Sequence, residues 1–173
     1  MSSEQEQSVR VLVTAASRHG STTDIAELIA ETINGQGLSA DAKPIGLVST
    51  IQPYDAVVLG SAIYFGHWLD AAVEFATTFA SELDERPVWL FSSGPVGASG
   101  RAAADPDVAP LTGRIHPRGH EIFAGALDKG ELGPLERTIV RIVRARFGDF
   151  RDWEQIRAWA VGIADELRHL DPA

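Results

Sequence analysis

Apolar positions follow two rhythms along this chain. Val9–Thr14, Ala56–Gly60, Pro87–Ser92 and Glu121–Leu127 are short runs, nearly free of polar interruption and rich in β-branched or aromatic residues, as strands buried on both faces require. The segments between them repeat at helical spacing. In Thr23–Asn34 the stripe is Ile25, Leu28, Ile29 and Ile33, with Asp24, Glu27 and Glu31 away from it, and Gly35 and Gly37 ending the helix. In Leu69–Leu83 it is Leu69, Val73, Phe75, Ala76, Phe79 and Leu83; in Trp153–Leu170 it is Trp153, Ile156, Trp159, Ala160, Ile163 and Leu167. Leu38–Lys43 alternates weakly into Pro44 and reads as an edge strand. Ile45–Tyr54 reads as a connection with one helical turn, and Ser99–Gly119 as a long loop with a short helix before His116-Pro117. Leu135–Phe147 is a further helix. Strands alternating with amphipathic helices predict an α/β fold: a parallel sheet covered on both faces by right-handed crossovers.

Residues 1–8 read as a polar tail and 9–170 as a single domain, since 173 residues suit one core. The net charge of −9 argues against nucleic-acid binding, which needs a basic face. The absence of cysteine removes disulfides, thiolate nucleophiles and thiolate-held metals, so redox chemistry would need a bound cofactor. His116, His120 and His169 lie apart, without metal-ligand spacing. The N-terminus has no apolar signal core and no run is long enough for a bilayer, so the expected location is cytoplasmic, at most peripheral to the inner membrane face.

The most informative stretch is Val9–Ile25. A buried strand leads through Ala15, Ala16, Ser17, Arg18, His19, Gly20, Ser21, Thr22 and Thr23 into a helix. Loop and first-turn amides lack partners of their own and meet the positive end of the helix dipole, which suits an anion. No lysine follows Gly20, so the loop is not a Walker A sequence, and a single glycine does not make the dinucleotide fingerprint. Hydroxyls without a lysine suit a phosphate monoester held without a metal. An ordinary strand-to-helix turn capped by Ser or Thr fits the same residues. A receiver domain, which shares the architecture, wants acidic residues where Thr14-Ala15-Ala16 and Ser61-Ala62 stand.

The loop Ser17-Arg18-His19-Gly20-Ser21-Thr22 resembles the phosphate loop of flavodoxins. The resemblance implies a flavodoxin-like three-layer sandwich with a parallel five-stranded sheet of order 2-1-3-4-5, and FMN as cofactor. It also implies that three loops hold the cofactor: Ala16, Ser17, Arg18, His19, Gly20, Ser21 and Thr22 at the phosphate, with Ala62, Ile63, Tyr64, Phe65 and Gly66, and Ser93, Gly94, Pro95, Val96 and Gly97, on either side of the isoalloxazine ring. Tyr64, Phe65 and Trp68 are aromatic candidates for stacking; Trp68, beside a helix start, equally suits core packing. Arg18 and His19 would add positive charge, or Arg18 would point into solvent. His67 is the weak candidate for relaying a proton or placing a substrate, the alternative being a histidine that ties down its loop.

Nearly the whole chain is similar to the flavodoxin-domain family of menaquinone-dependent protoporphyrinogen IX dehydrogenases. The residues that carry this are the first loop, Ile63-Tyr64-Phe65-Gly66-His67, Phe123-Ala124-Gly125-Ala126-Leu127 and Asp152-Trp153-Glu154-Gln155. It implies an FMN-dependent oxidoreductase of haem biosynthesis, with a small-molecule substrate and a quinone as electron acceptor. Ser99–Gly119 matches that family's inserted loop, whereas Asp128-Lys129-Gly130-Glu131-Leu132-Gly133 stands where its members carry basic and aromatic residues. The alternatives are a flavodoxin-type carrier serving a redox protein partner, and an NAD(P)H-dependent quinone reductase. Arg137, Arg141 and Arg144 share one face of the Leu135–Phe147 helix, either a solvated face or a contact for an anionic partner such as a phospholipid surface.

Overall fold

The computed structural model describes residues 8–94, 108–127, 133–134 and 148–170. Outside these lie most of the expected tail, Pro95, Val96 and Gly97, and the Leu135–Phe147 helix with Arg137, Arg141 and Arg144. The strands are β1 (Arg10–Ala16), β2 (Ser39–Pro44), β3 (Ala56–Tyr64), β4 (His67–Trp68), β5 (Val88–Gly94), β6 (Gly119–Ala124), β7 (Ala126–Leu127) and β8 (Gly148–Asp149). The helices are α1 (Ser21–Gly35), α2 (Asp70–Thr78), α3 (Ala80–Asp84), α4 (Ala109–Ile115) and α5 (Trp153–His169), with a 3-10 turn at Ile45–Leu47.

The five long strands are parallel and ordered β2-β1-β3-β5-β6. With the two-residue β4 set aside, this is the expected 2-1-3-4-5 sheet. Alternation along each strand feeds two cores. Val11, Val13, Val58, Trp89 and Phe91 pack on one face with Ile25, Ile29 and Ile33 of α1 and Ile156, Ala160 and Ile163 of α5. Leu12, Val57, Leu59, Val88 and Leu90 pack on the other with Ala72, Phe75 and Leu83 of the α2–α3 segment and Leu111 and Ile115 of α4. Uninterrupted apolar runs were the right signal because both faces are covered.

Three expectations need correction. The helix over Leu69–Leu83 is broken at Phe79, and Val73, assigned to its inner face, is 38% exposed; Ala72 takes the buried place. Ser61–Trp68, expected as a loop, is mostly strand: β3 continues to Tyr64 and β4 folds back antiparallel, pairing Ile63 with Trp68 and Tyr64 with His67. The last strand stops at Ala124, and Ala126–Leu127 leave the sheet to pair with Gly148–Asp149. The break falls at Gly125, whose amide donates to Gly94 O at 2.8 Å and where a Cβ would press on Gly94 O and Ser93 Oγ. The short helix before His116 is present as α4.

Helix α5 starts at Asp152, whose carboxylate accepts from the amides of Glu154 and Gln155 at 3.1 and 3.0 Å. Asp152→Ala removes this cap and should cost about 1 kcal/mol, read as a lower urea midpoint at unchanged m-value.

Candidate functional site

Parallel register brings the carboxyl ends of β1, β3, β5 and β6 to one edge. Ala16 lies opposite Ser61, Ala62 opposite Ser93, and Gly94 opposite Ala124. The first loop leaves this edge at Ser17 and enters α1 through Gly20, which has φ +86°. That left-handed backbone favours glycine. Gly20 N donates to Ser17 Oγ at 3.0 Å, and Asp24 N to Gly20 O at 3.0 Å. No cap side chain bonds the first-turn amides of α1, so they stay available to an acceptor.

Thr22 is the most telling residue of this loop. It is fully buried, and its Oγ1 has no hydrogen-bond partner among the described residues. A buried hydroxyl left unmade is costly, and an acceptor such as a phosphate oxygen would complete it. The space beside Gly20 is open, with nothing within 4 Å of a Cβ built there. These features fit a phosphate group on the loop: a buried donor, open backbone and the positive end of a helix.

The second loop is the tip of the β3–β4 hairpin. Phe65 and Gly66 both have positive φ, +52° and +79°, as a two-residue type I′ turn demands. Glycine is at home there; phenylalanine is not, and the phenyl ring is held 61% exposed at a strained position. Tyr64 meets it edge-on, with ring centroids 4.7 Å apart. Arg18 is exposed, and its guanidinium lies over the Tyr64 ring at 4.3 Å and links the two loops. His19 and His67 are exposed on the same two loops.

Trp68 belongs to the core. It is 4% exposed, and its indole N–H donates to Ser92 Oγ at 2.8 Å. Ser92 Oγ also lies 2.8 Å from Nε2 of His120. Ser61 Oγ accepts from Leu69 N at 2.9 Å and fastens the start of α2 beneath the hairpin. Ser93 and Gly94 end β5 at the rim. The contact between Ser92 and His120 was not expected: they lie 28 residues apart, and the pairing of β5 with β6 brings them together behind the carboxyl edge, with His120 opposite Leu90.

Arg151 was also missed. In sequence it joins the basic residues near 137–146, but in space it caps the first loop. Its side chain is 12% exposed; Nε and Nη2 donate to the two oxygens of Asp149 at 2.8 and 2.6 Å, and Nη1 donates to Asp24 Oδ2 at 2.7 Å. Nη1 also lies 3.5 Å from Ser21 O, and the guanidinium sits 4.4 Å over the Trp153 ring. The Asp149 carboxylate raises the Arg151 pKa further, and Arg151 in turn holds the Asp149 pKa below the ordinary value. No local motif announces these contacts, because Arg151 and Asp24 are 127 residues apart. The described residues contain no cluster of His, Asp or Glu suited to a metal, and no helix among them is long and apolar enough to cross a membrane.

A doubly wound sheet whose carboxyl edge carries a hydroxyl-lined loop, a helix N-terminus and an aromatic hairpin is the architecture of a mononucleotide-binding α/β protein. The sequence profile of the flavodoxin domain matches residues 12–152, and the chain belongs to that family. Membership indicates FMN as the cofactor. Among characterised proteins, the chain is 24% identical over 178 residues to protoporphyrinogen IX dehydrogenase (quinone) of Escherichia coli K12, covering 94% of this chain and 96% of that one. Among solved structures it is similar to a flavodoxin from the domain Archaea (TM-score 0.66, 14% identity, 93% of this chain and all of the other). It is also similar to the flavodoxin of Streptococcus pneumoniae TIGR4 (TM-score 0.63, 16% identity, 91% and 99%). In rubredoxin oxygen:oxidoreductase of Desulfovibrio gigas it matches 37% of the chain, at TM-score 0.63 and 16% identity over 94% of its own length.

Proposed function

We propose that this chain is an FMN-dependent oxidoreductase that takes electrons from a reduced organic substrate and delivers them to a quinone, and that a porphyrinogen is the substrate to test first. The observation that carries the reading is the buried, unpartnered Thr22 hydroxyl on a glycine-led helix N-terminus, on the sheet edge that also bears the Tyr64-Phe65 hairpin. The near full-length match to the Escherichia coli dehydrogenase supports the choice of substrate and acceptor.

When bound, FMN supplies the two-electron chemistry; the protein's part is to bind, orient and tune it. In this reading Ser17, Ser21 and Thr22, with the amides of the first turn of α1, hold the phosphate. Ala62, Ile63, Tyr64, Phe65 and Gly66 border one side of the ring, and Ser93 and Gly94, with Pro95, Val96 and Gly97 beyond the described residues, border the other. The exposed Phe65 ring offers an apolar rim to a flat substrate. His67, exposed on β4, is the nearest candidate for moving a proton at that rim. The residues at 128–133, which differ from the dehydrogenase pattern, favour a second reading: a carrier that passes electrons between protein partners.

Titrating the purified protein with FMN should produce a perturbed flavin absorption spectrum and quenched fluorescence at micromolar concentration. An anaerobic assay then separates the readings. Protoporphyrinogen oxidation dependent on menaquinone supports the enzyme; reduction by a ferredoxin–NADP reductase without turnover of any porphyrinogen supports the carrier. A chain that takes up no FMN under either condition refutes both.

A further inference from the structure

The first turn of α1 presents an electrostatic conflict. Asp24 suits the helix dipole, but it places a carboxylate at the end of the helix where a phosphate dianion is proposed to sit. Like charges a few ångströms apart at a protein surface repel strongly. The structure answers this with Arg151. Its guanidinium reaches across from the segment before α5, bonds Asp24 Oδ2 at 2.7 Å and lies beside Ser21 O, while Asp149 grips its other edge at 2.6 and 2.8 Å and Trp153 backs its face. The side chain is 12% exposed, so this is a seated cation and not a mobile surface arginine. A guanidinium held in a fixed fork is pre-organised to compensate a carboxylate.

We infer that Arg151 is a positioning residue for the phosphate of the bound nucleotide: shared between Asp149 and Asp24, its guanidinium offsets part of the Asp24 charge and pins the first turn of α1, so that the buried Thr22 hydroxyl and the open amides face a dianion with weaker repulsion from Asp24. The inference rests on the FMN reading above, and it adds a residue outside the loop that would itself touch the phosphate. It predicts selectivity for phosphorylated over unphosphorylated flavin, because the charge at Asp24 matters only to the ligand that carries a phosphate.

The experiment measures FMN and riboflavin affinities by flavin fluorescence for the parent, Arg151→Gln, Asp24→Asn and the double variant, with the thermal midpoint of each apoprotein as the folding control. Arg151→Gln should weaken FMN about tenfold while changing riboflavin less than about twofold, and adding Asp24→Asn should restore most of the loss. Asp24→Asn alone should leave FMN binding unchanged or tighter, which keeps a reading available if Arg151→Gln does not fold. Inorganic phosphate should raise the thermal midpoint of the parent apoprotein more than that of Arg151→Gln. Equal losses for both flavins, or no rescue by Asp24→Asn, would overturn the role assigned to Arg151 while leaving FMN binding intact. A parent that binds neither flavin overturns this role together with the FMN reading.

Discussion

Thr22→Val should weaken FMN binding by about 10- to 100-fold while leaving the apoprotein as stable as the parent or more so. The two effects have opposite signs because the hydroxyl is buried without a partner among the described residues. In the apoprotein it contributes only a desolvation cost, of about 1–3 kcal/mol for a group of this kind, and valine of similar shape removes that cost. Against a phosphate the hydroxyl makes a charge-assisted hydrogen bond, worth about 1.5–3 kcal/mol, which valine cannot make. Both side chains are β-branched, so helix propensity changes little. Thr22→Ser keeps the donor and should keep the affinity. Fluorescence titration with FMN and thermal melting of the apoprotein read the two effects separately; an unchanged affinity in Thr22→Val would remove this hydroxyl from the phosphate site.

Gly60→Ala should destabilise the protein by about 3 kcal/mol or more through overpacking. Gly60 pairs in register with Phe91, and a Cβ there would lie 2.1 Å from Phe91 Cζ. That ring has no room to withdraw: Phe91 is fully buried, with Phe123 at 6.1 Å and Trp159 at 6.3 Å between centroids. Gly60→Ala combined with Phe91→Leu should recover part of the loss, so the two changes are strongly non-additive. Urea unfolding of the two single variants and the pair measures the coupling. Simple additivity would place the strain elsewhere. In the sequence Gly60 looks like the end of a strand, and its packing role was not legible there.

The legibility of the chain tracks how local each cause is. The parallel sheet, α1 and α5 could be read because continuous apolar runs and helical stripes report burial directly, whereas the strand order came with the resemblance of the first loop to flavodoxins. The first loop was legible as a strand-to-helix turn because strand, hydroxyls, Gly20 and helix are contiguous. The break at Phe79 was not, since the pattern from Leu69 to Leu83 continues through it. The Ser61–Trp68 hairpin was read as a loop because its turn seats Phe65 at positive φ, against the preference of that residue. Trp68 fitted two places by pattern alone, and the hydrogen bond to Ser92 assigns it to the core.

The amino-acid order by itself thus determined the α/β architecture, through periodicity, and the family, through the short motifs that resemble flavodoxins, because both are properties of neighbours along the chain. Only the tertiary structure decided which polar and charged groups meet. Arg151 reaches Asp24 across 127 residues, Arg18 covers Tyr64 from another loop, and Ser92 joins Trp68 to His120. Such contacts depend on which strand ends lie side by side. Hydrophobic burial sets that arrangement without regard to the polar groups it brings together.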